Sequence, residues 1–371
     1  MKKLTLDTKN MKKVLTAINN LKLKKAINVW EYLKVTENNT FIVNGSEVTG
    51  VFYPKIIGSE GNGEYLIKIE TFKKAVSKLT SDVFELQMDD NEVLLSAGNI
   101  NVTLDSLPVW DFPKIKSLDN YKIVTINTKK FYSMLHNVLY TASKDEMMYN
   151  LNGILFEFTD NYLTLVSSDS YRLNKIECEI TQGEKFNTKM FFNLQTMKQV
   201  EKSLKYCKDE ITELTLYGTY MAIDIHERIE YTIQMFYSKA NFPNYMAVIP
   251  NSFQTRITID REKLLSNLEI VSQTIGKNGT TIFHIDNSIN IIGRIKEEKV
   301  YNEVSKSVID GKIEGKPIKV GFDDKFIIEA LKHFDTEKIQ LSFVDENNAL
   351  QINEVNNGNY IGIIMPIKIR S

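Results

Sequence analysis

Apolar residues recur at helical spacing in six short stretches of this chain, and the six form three pairs. Met11, Val14, Leu15 and Ile18 fall at i, i+3, i+4 and i+7, on one face of a helix over 7–21. Phe131, Met134, Leu135 and Val138 repeat that spacing within 127–142, and Leu264, Leu268, Val271 and Ile275 carry a similar stripe within 260–275. Shorter stripes mark 69–80 (Phe72, Val76, Leu79), 193–206 (Met197, Val200, Leu204) and 323–334 (Phe326, Ala330, Phe334). Asp7, Asn127, Asp260 and Asp323 stand at the heads of four of these stretches. Such side chains accept hydrogen bonds from the unpaired N–H groups of a first helical turn.

After the second helix of each pair the period changes from 3.6 to two. VFELQM, EVLLSA and VTLDSLP follow the first pair, with Asp, Asn and Gly at the breaks. ELTLY, YMAIDI and IEYTIQM follow the second, and IQLSFV, ALQINEV and YIGIIMP the third. The unit therefore recurs about every 120 to 130 residues, too long a period for a solenoid and ordinary for a domain. Three like domains in a row suit a geometric task, such as building an arc or a ring, better than the framing of one catalytic pocket. The expected class is α+β, with boundaries giving domains over 1–121, 122–252 and 253–371. Phe112-Pro113 and Phe242-Pro243 lie at the two joints and Met365-Pro366 at the last strand's end. A proline there stops sheet pairing and fixes the exit direction. Neither joint is long or rich in Gly and Ser, which implies domains held in a fixed arrangement.

Composition adds bounds. Of the 371 residues, 43% are hydrophobic and 25% charged, ordinary values for a globular protein. No apolar run reaches the roughly 18 residues of a membrane span, and the N-terminus has no apolar signal core. The two cysteines, Cys178 and Cys207, are too few for a disulfide framework, so a cytoplasmic, reduced protein is expected. The net charge of −1 hides an uneven distribution: the six helices carry fifteen basic and nine acidic residues. A positive helical surface suits a phosphate backbone. Lysine is also a good solvated helix former, so composition alone leaves both readings open.

Catalytic patterns are missing. His136, His226, His284 and His333 show no paired metal-ligand spacing, and the segment from Gly276 to Thr281 lacks the spacing of a phosphate loop. Asp89-Asp90 and Asp345-Glu346 fall at hairpin tips, where turn geometry explains them. The expectation is a protein with no catalytic site, metal or cofactor.

One stretch stands apart. Leu151-Asn152-Gly153-Ile154-Leu155-Phe156-Glu157 leads through a turn to Ser168-Asp169-Ser170-Tyr171-Arg172-Leu173, which contains one of only six arginines. The pair resembles the second-domain signature of the bacterial sliding clamp, the β subunit of DNA polymerase III, which reads L-N-G-x-L-F-E and then [TS]-D-G-H-R-L. Asn241-Phe242-Pro243-Asn244-Tyr245 with Val248-Ile249-Pro250 looks like that family's joint between domains two and three. Met365-Pro366-Ile367-Lys368-Ile369 looks like its C-terminus. The three motifs occur in the family's order and the threefold domain repeat is the family's architecture, so the resemblance covers the whole chain. Departures are Ser170-Tyr171 for Gly-His, Ala247 at an often basic position, and Asn28-Val29-Trp30 for Pro-[IV]-Leu in domain one.

The resemblance implies three similar clamp domains forming a half-ring, each with two helices on antiparallel sheets. Two subunits would close head to tail as a homodimer around double-stranded DNA, without reading its sequence. It implies a peptide cleft between domains two and three for the DNA polymerase III catalytic subunit, the clamp loader and other proteins carrying a clamp-binding motif. Carried over by motif position, the cleft comprises Leu151, Ser168, Ser170, Tyr171, Arg172, Leu173, Pro243, Val248, Phe326, Ile363, Met365, Pro366 and Ile367. Among these Arg172 is read as the least core-like member. The expected DNA-facing residues are Lys12, Lys13, Lys24, Lys25, Lys198, Lys202 and Lys205. For ring closure, Lys73, Lys74 and Lys78 are paired with Glu297, Glu298 and Glu303 of a second copy. The alternative is a clamp-fold scaffold or decoy that binds partner proteins without being loaded on DNA.

Overall fold

The same string of elements occurs three times in the computed structural model, which describes residues 1–369 except 22–26, 90–91, 114–119, 184, 227–229, 238–240, 277–278, 298–299 and 356. The first copy runs β1 (Lys2–Asp7), α1 (Thr8–Asn20), β2 (Tyr32–Val35), β3 (Phe41–Asn44), β4 (Val48–Tyr53), β5 (Ile56–Gly61) and β6 (Tyr65–Lys68). It ends with α2 (Ile69–Lys78), β7 (Val83–Met88), β8 (Val93–Ala97) and β9 (Ile100–Leu104). The second copy has β10 (Lys122–Asn127), α3 (Thr128–Leu139), β11 (Gly153–Thr159), β12 (Tyr162–Ser168), β13 (Arg172–Glu179), β14 (Thr181–Gln182) and β15 (Thr188–Asn193). It closes with α4 (Leu194–Leu204), β16 (Ile211–Tyr217), β17 (Tyr220–His226) and β18 (Glu230–Phe236). The third has β19 (Thr255–Asp260), α5 (Arg261–Ile275), β20 (Thr280–Ile285), β21 (Ile289–Glu297), β22 (Val300–Ile309), β23 (Gly311–Gly315) and β24 (Ile318–Phe322). It ends with α6 (Asp324–Leu331), β25 (Lys338–Phe343), β26 (Leu350–Glu354) and β27 (Asn357–Ile364).

The helices start where the polar residues place them. Asp7 accepts from the Asn10 amide at 2.8 Å, Asn127 from Lys130 at 3.1 Å, Asp260 from Lys263 at 2.8 Å and Asp323 from Lys325 at 3.0 Å. Each cap satisfies a donor that the helix itself cannot. Apart from half-buried Phe326, the expected apolar stripes are buried, as with Met11, Val14, Leu15 and Ile18 in α1 and Leu264, Leu268, Val271 and Ile275 in α5. Several helices stop earlier than their stripes: Leu79 is already extended and Phe334 lies past the end of α6, yet both are buried. Burial of an apolar residue does not require that its backbone be helical.

Each copy forms a five-stranded and a four-stranded antiparallel set, and sets from successive copies join. The first copy's five strands stand alone in the order β5-β1-β7-β8-β9. Its other four continue into the second copy's five as β14-β10-β16-β17-β18-β4-β3-β2-β6. The second copy's remaining four continue into the third copy's five as β15-β11-β12-β13-β27-β26-β25-β19-β23. β22-β21-β20-β24 completes the third copy. At the first seam β18 pairs with β4 over Glu230↔Tyr53 to Met235↔Val48, and at the second β13 pairs with β27 over Arg172↔Ile364 to Ile176↔Tyr360.

This sharing shapes how the chain divides. It forms two compact units, one of 1–132, 179–186 and 195–238, the other of 133–178, 187–194 and 239–371. The strands of the central copy are thus distributed between the two nine-stranded sheets. In the second unit Leu264, Leu268, Val271, Ile327 and Leu331 of α5 and α6 pack on Phe283, Phe322, Ile339 and Leu341 of the sheets.

Gly153 of the LNG motif has a packing reason. A Cβ there would lie 2.2 Å from the Phe192 carbonyl oxygen and 2.6 Å from the Phe191 ring, because β11 and β15 pair closely at Gly153↔Asn193. Gly153→Ala is expected to destabilise the protein by about 1–3 kcal/mol, the usual cost of overpacking a filled site. Chemical denaturation measures this, and an unchanged midpoint would show that the seat is looser than the backbone contact implies.

Candidate partner cleft and nucleic-acid interface

The turn between β12 and β13 is held by its own side chains. Asp169 Oδ1 accepts from the amides of Tyr171 and Arg172, each at 3.0 Å, and the Ser168 hydroxyl donates to the Arg172 carbonyl at 2.8 Å while accepting from the Ser170 amide at 3.2 Å. Ser170 takes the position where the family pattern has glycine, and its φ is 78°. A β-carbon disfavours that conformation, so the internal hydrogen bonds must hold it. The result presents Tyr171 to solvent at 63% exposure.

Arg172 does not behave as expected for an open, loop-end residue. It is only 8% exposed and each of its three guanidinium nitrogens donates a hydrogen bond. Nε donates to Asp169 at 2.9 Å, Nη1 to Glu329 at 2.7 Å and Nη2 to the Tyr140 carbonyl at 3.2 Å. The guanidinium also lies 4.7 Å from the Phe326 ring centroid, and Tyr171 stacks on the same ring at 6.3 Å. Burial opposes its charge, but the bonds to Glu329 and Asp169 outweigh this and raise its pKa further. Arg172 therefore ties the turn to α6 and fixes the Phe326–Tyr171 stack.

The other expected cleft residues separate into two groups. Leu151, Leu173 and Ile363 are buried, with Leu173 opposite Ile363 in the strand ladder inside an apolar cluster that includes Phe191 and Tyr245. They support the site from beneath. Val248 is 45% exposed, Met365 and Ile367 are each 39% exposed, Pro243 is exposed, and Phe326, Pro366 and Ser168 are half-buried. The terminal segment continues β27: the Met365 amide donates to the Tyr171 carbonyl at 2.9 Å and the Ile367 amide to the Gly321 carbonyl at 2.8 Å. Met365 and Ile367 are thereby placed on rigid backbone, and Met246, 57% exposed, extends the joint's apolar surface without having carried a sequence signal.

A second cluster lies behind Arg172. His333 stacks on Tyr140 at 3.9 Å, lies 5.1 Å from the His136 ring, and its Nδ1 bonds the Glu329 carbonyl at 2.9 Å. Burial holds its pKa below the ordinary value, with His136 adding to the depression. No sequence spacing connects these residues; only the fold does.

The lysines expected to face DNA fall in two places. A groove of about 710 Å³ between α1 and α4 is lined by Lys9, Lys12, Lys13, Lys202 and Lys208 with Tyr206. No carboxylate is among its described lining residues. Lys198 is exposed on the same helix as Lys202 and Lys205 is exposed just past its end, while Lys12 donates to the Leu79 carbonyl at 2.8 Å and so also closes the end of α2. Lys24 and Lys25 lie outside the described residues. Lys9 and Lys208 join the groove beyond the expected set. By contrast the α5–α6 groove mixes signs, with Glu269, Glu329, Lys325 and Lys332, and a Lys332–Glu269 pair at 2.7 Å.

The His333 cluster sets a pH dependence. A depressed folded pKa means that the unfolded chain binds the proton more readily, so this contribution to stability is full above about pH 6.5 and is lost as pH falls through the lower folded value. The melting-temperature gap between the wild type and His333→Gln should narrow as the pH drops from about 7.5 to about 5.5. The comparison cancels His226, whose pKa its hydrogen bond to Asp209 raises. A gap independent of pH would contradict the assignment.

Comparison with known proteins agrees with this architecture. Residues 125–244 match the model of the DNA polymerase III beta subunit central domain, and 246–368 that of its C-terminal domain. The beta sliding clamp of Chlamydia pneumoniae is 24% identical over 315 residues, covering 83% of this chain and 82% of that protein. The solved DNA polymerase III beta subunit of Thermotoga maritima superimposes with a TM-score of 0.83 at 25% identity, and the Bacillus subtilis sliding clamp with 0.88 at 17%, each over 100% of both chains. The chain belongs to the DNA polymerase III beta subunit family, the bacterial beta sliding clamps.

Proposed function

We propose that this chain is a processivity clamp: two copies close into a ring around duplex DNA and tether the replicative polymerase and other partners through the Tyr171–Met365 surface. The domains carrying this role are read as 1–121, 122–252 and 253–371. The reading needs no catalytic group, and no cluster of metal-ligating side chains occurs among the described residues. No helix among them is long and apolar enough to cross a membrane.

The observation that carries the ring is the seam rule. Within the chain, the last strand of one copy's five-stranded set pairs with the first strand of another copy's four-stranded set, as β18 with β4 and β27 with β13. Among the described strands two equivalent edges remain without such a partner, β9 at one end of its sheet and β22 at one end of its own. An open edge is a template for another strand. Ile100 on β9 and Val304 and Val308 on β22 are exposed, which suits burial against a second copy. Head-to-tail pairing of β9 with β22 repeats the internal seam and makes six domains from two chains.

Charge favours the same arrangement. Lys73, Lys74 and Lys78 lie on α2, which packs beside β9, while Glu303 lies on β22. Glu298 and the side chain of Glu297 lie outside the described residues. Lys74 already pairs with Glu70 at 2.6 Å and Lys73 with Asn19 at 3.0 Å, so steering rather than tight pairing is their role. The lysine groove between α1 and α4 supplies contacts to phosphate that carry no sequence information and permit sliding. The exposed apolar anchors Tyr171, Val248, Met365 and Ile367 fit a short peptide whose apolar side chains alternate with its backbone contacts.

Retention on closed circular DNA against the same DNA linearised, after loading by a clamp loader, tests the reading. A topological ring stays on the circle and is lost from the linear form, and light scattering should give twice the chain mass. A monomer, or equal loss from both DNA forms, would favour the scaffold that is never loaded.

A further inference from the structure

The two seams are equivalent position by position, and the first has a pocket where the second has the candidate cleft. In the second seam the Tyr171 carbonyl accepts from the Met365 amide just past the Arg172↔Ile364 pair. In the first the Glu47 carbonyl accepts from the Phe236 amide at 2.9 Å, just past Val48↔Met235. Glu47 thus stands where Tyr171 stands, and Phe236 where Met365 stands. Pro113 of the first Phe-Pro joint borders this place as the second joint borders the cleft.

The pocket measures about 190 Å³ and its walls include Trp30, Asn44, Glu47, Tyr217, Tyr220 and Phe236. Tyr217 and Tyr220 stack at 5.7 Å, and Phe236 meets Tyr220 edge-on at 5.8 Å. Among the described lining residues Glu47 is the only carboxylate, and none is lysine or arginine. Three of these residues also bear a buried polar atom without a hydrogen-bond partner: Trp30 Nε1, Asn44 Oδ1 and Tyr217 Oη. They are three of ten such atoms among the described residues, and native folds leave few buried polar groups unpaired without a reason. Burial pushes the Tyr217 phenol up to about 12, so it remains a neutral hydroxyl able to donate or accept.

We propose that this first-seam pocket is a second partner site, selective for an arginine side chain presented by a protein segment. Aromatic faces attract a guanidinium, and its planar fork offers donors to the Glu47 carboxylate and the Asn44 oxygen. The Trp30 N–H, a donor only, then meets a backbone carbonyl of the same segment. At roughly 30 Å³ for each small heavy group, the volume holds the six atoms of an arginine beyond its Cβ. The cleft at the second seam selects apolar side chains, whereas this one selects charge, because a carboxylate replaces an aromatic ring at the same place in the fold.

Binding can be read without DNA, polymerase or ring formation, so its failure is distinct from failure of the clamp reading. In a Trp110→Phe background Trp30 is the only tryptophan and reports the pocket by its emission. Titration with Nα-acetyl-arginine amide should give a saturable change, and the neutral isostere Nα-acetyl-citrulline amide should bind at least about tenfold more weakly. Glu47→Gln, checked for unchanged melting temperature, should weaken the arginine probe about tenfold, while Tyr171→Ala should leave it unaltered. No saturable change, equal binding of citrulline amide, or full affinity in the Glu47→Gln variant would each overturn the proposal.

Discussion

Antiparallel pairing between strands of successive copies is the constraint on which the rest of this structure depends. A linker can join domains, but it leaves their orientation free. A ladder of main-chain hydrogen bonds fixes direction and register together, because a slip of one residue would turn every side chain to the wrong face. β18 on β4 and β13 on β27 each continue one sheet through a joint between copies. The short Phe-Pro joints need only carry the chain across.

The proposed partner sites follow from the same constraint. Where a shared ladder ends, two copies contribute backbone and side chains to one place without either being flexible. Arg172 secures that end in the second seam by closing on Asp169, Glu329 and the Tyr140 carbonyl, which leaves Tyr171 and the Met365 segment as a prepared surface. A prepared surface loses less conformational freedom on binding a peptide. The equivalent end of the first seam is built the same way with different chemistry. On the proposed reading of the two sites, divergence between like copies changes the partner without disturbing the frame.

Much of this was legible in the sequence, for stated reasons. Stripes at Met11 to Ile18 and Leu264 to Ile275, with Asp7 and Asp260 ahead of them, are local signals, and local caps and periodicity decide them. The threefold repeat was visible because each copy keeps the same order of periods. Arg172 reads as the least core-like cleft residue and is nevertheless buried, because its partner Glu329 is distant in sequence and no local signal shows that the two meet. The seams themselves could not be read, because period-two alternation shows that a strand pairs and not with which strand. Their consequence, that one copy's strands serve two sheets, was invisible for the same reason. The LNG motif, read as a family mark, turned out to have its own physics in the contact of Gly153 with the Phe192 carbonyl.

The central claim is that the seams are as firmly paired as the sheets they join. Amide hydrogen exchange tests it most directly, followed residue by residue in β4 and β18 and in β13 and β27. Seam amides such as those of Val51, Thr232, Leu173 and Ile363 should exchange as slowly as amides of internal pairs such as β16 with β17, because opening them requires opening the sheet. Seam amides that exchange rapidly while internal strands stay protected would show that the copies are only tethered, and would contradict the account.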